Sequence, residues 1–400
     1  MKSFDDEMVG IVANILFLTK RKKILFFIQM KIMVINWRCI KNPLAGGAEI
    51  YLQEVAKRLT ARGYDITQLS ERFSGSLSEE IIDGIRIQRM GGKWTFNFTV
   101  YRHIRQIVQK NNYDLIIDDL NKVPFYSPWF INKPVLVMLM HLFRKSIFRE
   151  VPAPLAGYVY LAESLIPFAY RHCRFAVLSE SSKKDVVKLG IRPEQVTAVP
   201  PGTDFSRYQP DPLVKREQVI LHVGRLKRYK STEHLLFAAR KLKEMGRNFR
   251  VVIVGTGDDQ PRLVKLTQKL QLSDLVEFTG FIPETEKVRW YQRSALLVES
   301  SIKEGWGLIV MEANACGTPV VVARSPGLVD SSQDGVNGLF YNYGDIDDLT
   351  EKIDLLLTNE ALREKLGKQA ITWAQQWTWD GAADKIDNLI REIVDERKSR

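Results

Sequence analysis

Long apolar runs are what this sequence most plainly lacks. A membrane-crossing helix needs roughly 18 to 20 consecutive apolar residues, and the nearest stretches, 9–18 and 24–28, are separated by Lys20, Arg21, Lys22 and Lys23. The amino terminus does not read as a cleaved leader, because it opens with Asp5, Asp6 and Glu7 and no small-residue cleavage site follows. Cysteine is scarce: Cys39, Cys173 and Cys316 lie far apart, in no spacing that a disulfide framework or a zinc site uses. No Asp-x-Asp ends a strand where a hard cation would need it, since Asp345 and Asp347 fall beyond the expected sheets. No nucleic-acid-binding signature, internal repeat or low-complexity tract is present. These absences point to a cytoplasmic protein that requires no metal and no cofactor, with at most a peripheral contact on the inner face of a membrane.

What is there is an alternation. A chain of 400 residues exceeds what one hydrophobic core usually supports, so two domains are expected. Apolar runs of strand length recur between helical patterns at 32–36, 66–69, 115–117, 135–140 and 175–178, then again at 219–223, 250–254, 276–278, 296–298 and 319–322. This reads as an α/β protein with two doubly wound, Rossmann-like parallel sheets facing across a cleft. Between the two series, 199–212 holds Pro200, Pro201, Gly202, Pro210 and Pro212 and can continue neither helix nor strand. The expected division is an extension at 1–29, a first domain at 30–205, a second at 206–380 and a terminal helix at 381–400 packing back toward the first domain. Residues 1–29 are either an extension or the product of a start site placed too early, because Met30 directly precedes the first strand. Trp373, Trp377 and Trp379 give the helical tail anchoring bulk.

Charge is uneven. Residues 1–200 hold 29 Lys and Arg against 18 Asp and Glu, and residues 201–400 hold 29 against 29, so the whole net charge of +11 belongs to the first half. A basic half suggests an anionic partner, the alternative being a surface that is merely solubilising. Residues 141–174 interleave Arg144, Lys145, Arg149, Arg171 and Arg174 with Phe143, Phe148, Tyr158, Tyr160, Leu165 and Phe168. An anionic membrane would meet such a surface, although core packing explains the aromatics equally well.

The segment richest in chemistry is 303–319. Gly305 and Gly307 permit an open backbone after a strand, and 308–315 reads as a helix ended by Gly317 and Pro319. Free amides and a positive helix end then fall at Trp306, Gly307, Leu308 and Ile309, a ready diphosphate site. Glu304 precedes this point and Glu312 follows it, so a sugar nucleotide stretched across would meet one carboxylate at its sugar and the other at its ribose. Arg225 and Lys230 follow Gly224 at the end of another strand and supply cations for the same anion. Gly46 and Gly47 lie between the first strand and a helix, where close backbone approach to phosphate or sugar is again possible. His141 ends the run 135–140, where a strand delivers a side chain into the cleft; a structural histidine is the alternative. Gly255 and Gly257 do not make a dinucleotide turn, because the third glycine and a ribose-binding acid are missing.

Taken together, these residues resemble retaining glycosyltransferases of family 4, which have the GT-B fold. The resemblance runs from 31 to 356. Glu304 and Glu312 match the family's Glu-x7-Glu with Gly305 to Leu308 between them, and Gly224, Arg225 and Lys230, 254–257, 278–281, 201–204 and 46–49 are similar at family spacing. It departs at 227–229, where the family often has an acidic residue before the lysine. The resemblance implies transfer of a sugar from a nucleotide-diphosphate donor to an acceptor hydroxyl on a glycan or lipid-linked molecule. It further implies Arg225 and Lys230 on the diphosphate, Glu304 on the sugar, Glu312 on the ribose, Gly47 near phosphate from the opposite domain and His141 beside the donor sugar. Gly46, Gly224, Gly255, Gly257 and Phe281 would complete the donor pocket. A sugar-nucleotide epimerase of the same fold and a non-catalytic sugar-nucleotide-binding protein are the alternatives.

Overall fold

The computed structural model describes residues 30–120 and 123–398; the expected extension at 1–29 lies outside them. Two sheets organise the chain. The first has eight strands, β1 (Lys31–Ile35), β2 (Asp65–Ser70), β3 (Glu79–Ile82), β4 (Ile85–Arg89), β5 (Leu115–Leu120), β6 (Val135–Leu139), β7 (Arg174–Val177) and β8 (Val196–Ala198), in the order β3-β4-β2-β1-β5-β6-β7-β8. The second has six, β9 (Glu217–Val223), β10 (Arg250–Val254), β11 (Val276–Gly280), β12 (Ser294–Glu299), β13 (Val320–Ala323) and β14 (Gly338–Tyr341), in the order β11-β10-β9-β12-β13-β14. Runs such as Val251 to Val254 and Val320 to Ala323 are buried along their length, as strands covered by helices on both faces must be.

Parallel pairing holds throughout except at one edge, where β3 runs antiparallel to β4. That exception has a local cause in the Asp83-Gly84 turn, in which both residues take positive φ, +50° and +81°, the geometry that closes a tight hairpin. The short strands β3, β4, β8 and β14 were not among the expected runs; the others fall within a residue or a few of the positions expected.

Residues 199–212 contain neither helix nor strand. The chain crosses there from the first lobe to the second, and it returns close by: the Thr203 amide donates to the Trp377 carbonyl at 3.1 Å. After this return the helix Trp379–Lys398 lies against the helix Gly47–Ala61 and strands β6 and β7. Ile386, Leu389 and Ile390 enter the first lobe's core, and Arg58 and Arg62 of the neighbouring helix pair with Asp380 and Asp384. Trp379 packs against Tyr51 with ring centroids 6.0 Å apart. Among the described residues no helix is long and apolar enough to cross a membrane.

Candidate active site

Each sheet reverses its strand order around its first strand, β1 between β2 and β5, and β9 between β10 and β12. Connections leave such a strand in opposite directions and open a crevice at its carboxyl end. The two crevices face one another and enclose a cleft of about 680 Å³. From the second lobe, β9 delivers Arg225 and the turn bearing Lys230, while β12 delivers Glu299, the loop 300–307 and then the helix Leu308–Ala315. From the first, the connection after β1 leads into the helix Gly47–Ala61, and β6 ends beside Met140 and His141.

Two helix amino ends therefore meet in one cleft. A Cβ at Gly47 would stand 3.0 Å from Leu308 Cδ1, and a Cβ at Gly46 would stand 2.3 Å from the Arg225 guanidinium. A side chain at either position would have to displace the Arg225 guanidinium or the Leu308 side chain, both of which line or face the cleft. Gly305 makes a like approach from the other side, since a Cβ there would lie 2.6 Å from the Met140 carbonyl oxygen. Gly307 caps the helix Leu308–Ala315 with φ +148°, outside the range most side chains tolerate, and leaves the first amides without partners inside the helix. Each helix end presents about half a positive charge to whatever lies between them.

Side-chain charge is concentrated on the second lobe's wall. Lys230 is buried, with its Nζ 2.8 Å from Glu304 Oε1 and 3.4 Å from Glu299 Oε2. Burial works against its charge, yet Glu299 and Glu304 outweigh burial and raise the ammonium's pKa, so Lys230 stays protonated. For Glu304, burial favours the neutral acid, but Lys230, Ser301 and His141 hold its pKa below the usual value. The imidazole of His141 goes the other way: burial first, then the cations of Lys303 and Arg225, push its pKa down to about 4 against the pull of Glu304. A neutral ring thus sits opposite a charged lysine-carboxylate cluster near pH 7. The ring lies edge-on to Phe143 at 4.5 Å.

Glu304, His141, Arg225, Lys230, Gly47, Gly305, Trp306, Gly307, Leu308 and Ile309 all line this cleft. Glu312, Gly46, Gly224, Gly255, Gly257 and Phe281 do not. The carboxylate of Glu312 is engaged by Lys287 at 2.9 Å and by the Tyr291 hydroxyl at 2.8 Å. Gly255 and Gly257 act one layer back, where Cβ atoms would stand 2.0 Å from the carbonyl oxygens of Gly224 and Leu226, so they let the Arg225 loop lie flat on its neighbour. Gly224 itself has φ +151° in that loop. Phe281 is 86 % exposed.

Sequence reasoning overlooked Glu299, Lys303 and Glu150. Glu299 is fully buried and takes the Ser301 hydroxyl at 2.5 Å in addition to facing Lys230. Its signal was available, an acid closing the apolar run 296–298. Lys303 reaches across the cleft to the Leu142 carbonyl at 2.8 Å and to Asp185 at 2.6 Å. Glu150 crosses in the other direction and accepts the Tyr229 amide at 3.0 Å. Nothing in the sequence marks these cross-lobe pairs, because each depends on how the lobes are docked.

The profile of the glycosyl transferases group 1 matches residues 206–373, and that of Glycosyltransferase Family 4 matches residues 45–207. A D-inositol 3-phosphate glycosyltransferase of Thermobifida fusca is 28 % identical over 393 residues, spanning 88 % of this chain and 89 % of that protein. One from Frankia alni is 34 % identical over 220 residues, half of this chain and 54 % of its own length. Among solved structures, sucrose-phosphate synthase of Thermosynechococcus elongatus superposes with a TM-score of 0.78 at 21 % identity, covering 91 % of this chain and 99 % of that one. Anabaena HepE, solved with UDP-glucose, superposes with a TM-score of 0.74 at 19 % identity, covering 91 % and 100 %. Both share the GT-B fold with this chain.

Proposed function

The chain belongs to the group 1 glycosyl transferases of family 4 and is a glycosyltransferase, and from that premise we propose that it is a retaining, metal-independent enzyme acting on a nucleotide-diphosphate sugar. One observation carries the proposal: two helix amino ends, Arg225 and Lys230 line a single cleft between the lobes. A diphosphate placed there would be met by positive charge from both sides, with charge-assisted hydrogen bonds contributing roughly 1.5 to 3 kcal/mol each. The leaving group's growing charge is then offset without a cation from solution. Glu304, a carboxylate beside Lys230, aligns the transferred sugar through its hydroxyls. His141 is neutral and accepts or donates one hydrogen bond at the sugar without repelling Lys230 or Arg225.

Among the described residues, the other carboxylates lining the cleft are already engaged, Glu49 by the Gly46 amide, Glu150 by the Tyr229 amide and Glu299 by Lys230 and Ser301, so none is assigned as a nucleophile in this reading. Acceptor attack therefore takes place on the same face from which the diphosphate leaves, with the departing oxygen assisting removal of the acceptor proton. Glu312, paired with Lys287 beside the cleft, would reach the ribose after exchanging that partner for ribose hydroxyls. The acceptor is a hydroxyl on a glycan or lipid-linked molecule presented at an anionic membrane surface.

Thermal stabilisation by a panel of nucleotide sugars tests the donor assignment, because a ligand bound only to the folded state raises stability by mass action. UDP-glucose is the first to try, given the HepE complex. NMR of the product anomeric centre then tests retention, and turnover in excess chelator tests independence from metal. Inversion at that centre would end the same-face mechanism, and loss of turnover in chelator would end the metal-free one.

A further inference from the structure

The helix Ala153–Ser164 and the turn Ile166–Ala169 bury one side and expose the other. The buried side is ordinary: Ala156 and Val159 pack with Ile147, and Ile166 and Ala169 enter the first lobe's main core. The exposed side is not. Leu155, Tyr158, Leu161, Leu165 and Phe168 are 43 to 70 % exposed, at spacings of three, three, four and three, so they form one stripe about 20 Å long on a helical surface. A contiguous apolar stripe of this kind on a water-soluble lobe marks a contact surface.

Charge decides what covers it. From Lys93 to Arg174 the chain carries eleven Lys and Arg against five Asp and Glu. Three of those acids, Asp118, Asp119 and Glu163, are buried and do not soften the surface field. Lys145 and Arg171 are exposed, Arg171 three residues beyond Phe168 and Lys145 next to Arg144, whose guanidinium lies 4.2 Å over the Tyr160 ring and 3.1 Å from the Ser164 hydroxyl on the flank of the stripe helix. A second copy of the chain would bring two cationic faces together, which costs energy. An anionic bilayer accepts both the apolar side chains and the flanking cations.

We propose that this stripe docks the enzyme on an anionic lipid bilayer and holds the mouth of the cleft at the lipid surface. The segment joining stripe and cleft supports the second half. Phe143, Ile147 and Val151 line the cleft, and the 3-10 turn Arg144–Arg149 packs on the stripe helix. Glu163, on that helix, takes the amides of Phe143 and Arg144 at 2.7 Å each, two and three residues from His141. The docked helix and the cleft wall are thereby one rigid piece, and a lipid-borne acceptor hydroxyl enters beside His141. This half rests on the reading above that the acceptor is lipid-linked; the docking itself does not.

The test is flotation of the full chain with vesicles of phosphatidylcholine alone and of phosphatidylcholine mixed with phosphatidylglycerol, at low and high salt. Binding to the anionic vesicles is expected, reduced but not abolished by salt. The double variant Leu161→Glu with Phe168→Glu should weaken it at least about tenfold, and Lys145→Glu with Arg171→Glu should remove most of its salt dependence. All four side chains are exposed, so unchanged melting temperatures are expected. Equal partitioning of wild type and the apolar double variant, or no anionic-vesicle binding by the wild type, overturns the proposal. A concentration-dependent dimer that disappears in the apolar double variant, without vesicle binding, overturns it in favour of self-association. Donor-induced thermal stabilisation is measured on the same samples; its absence would defeat the transferase reading while leaving the docking result standing.

Discussion

The two lobes bring unlike things to one cleft. The second lobe brings charge, and brings it from two short stretches of chain, 225–230 and 299–309. The first brings close backbone, a neutral ring and single charges set far apart, Arg38, Glu49, Lys93 and Glu150, from positions as distant as Arg38 and Leu178. Gripping a charged ligand needs side chains held in fixed relation, which a strand end and the turn after it supply locally. Closing over that ligand needs only a surface that fits, and the fit is assembled from scattered positions.

Removing the second lobe's grip should have the largest effect. Arg225→Ala is expected to lower turnover about a hundredfold or more, the usual loss when one donor to a developing negative charge is deleted. Initial rates on a folded variant check it, and near-normal turnover would take Arg225 out of the site. Glu304→Ala should reduce transfer by about as much while nucleotide binding survives or tightens, because Lys230 loses one of two carboxylate partners. Calorimetric titration with the nucleotide diphosphate separates the two effects; loss of nucleotide binding would show that Glu304 holds the nucleotide and not the sugar.

The first lobe's part is sharpened by a smaller change. Gly305→Ala places a methyl 2.6 Å from the Met140 carbonyl and should pry the lobes apart. We expect turnover to fall about tenfold with nucleotide binding kept, since alignment across the cleft is lost while the added methyl meets only Met140 and Leu178 of the first lobe. Small-angle scattering should show a larger radius of gyration, and a wild-type rate would mean that closure does not depend on this approach.

The smallest effect is on stability against pH. His141 titrates near 4 in the folded chain, chiefly through burial, against an ordinary value of 6.5. Between those values the unfolded chain binds a proton that the folded chain does not, so this residue makes stability rise with pH through that window and fall on acidification. His141→Asn should flatten the rise of melting temperature between pH 4 and 6.5. An unchanged slope would place the histidine in water.

Legibility in the sequence followed the same division. The apolar runs that became β9, β10 and β12 were readable because strands covered on both faces must be apolar throughout, and Arg225, Lys230 and Glu304 were readable as polar residues just beyond such runs. The hairpin β3–β4 was missed although Asp83-Gly84 announces it, because its strands are half polar and short. Gly255 and Gly257 were read as pocket glycines, whereas their lack of side chains serves loop packing behind the pocket. Sequence spacing reports that a backbone must come close to something and is silent about what. Lys303 and Glu150 were invisible for a different reason: their partners belong to the other lobe, and no local pattern encodes docking.

The adjacent outward and return crossings at Thr203 and Trp377 have a mechanical consequence. Both straps tie the lobes at one side, so a swing about that seam changes the gap most at the far rim and least beside the straps. The terminal helix, fastened to the first lobe by Ile386 and Ile390, rides with that lobe although it follows the second in the chain. Cutting the polypeptide at one crossing would therefore leave the second lobe on one remaining tether, and a cut at the return crossing would leave the terminal helix held to the first lobe by packing and ion pairs alone.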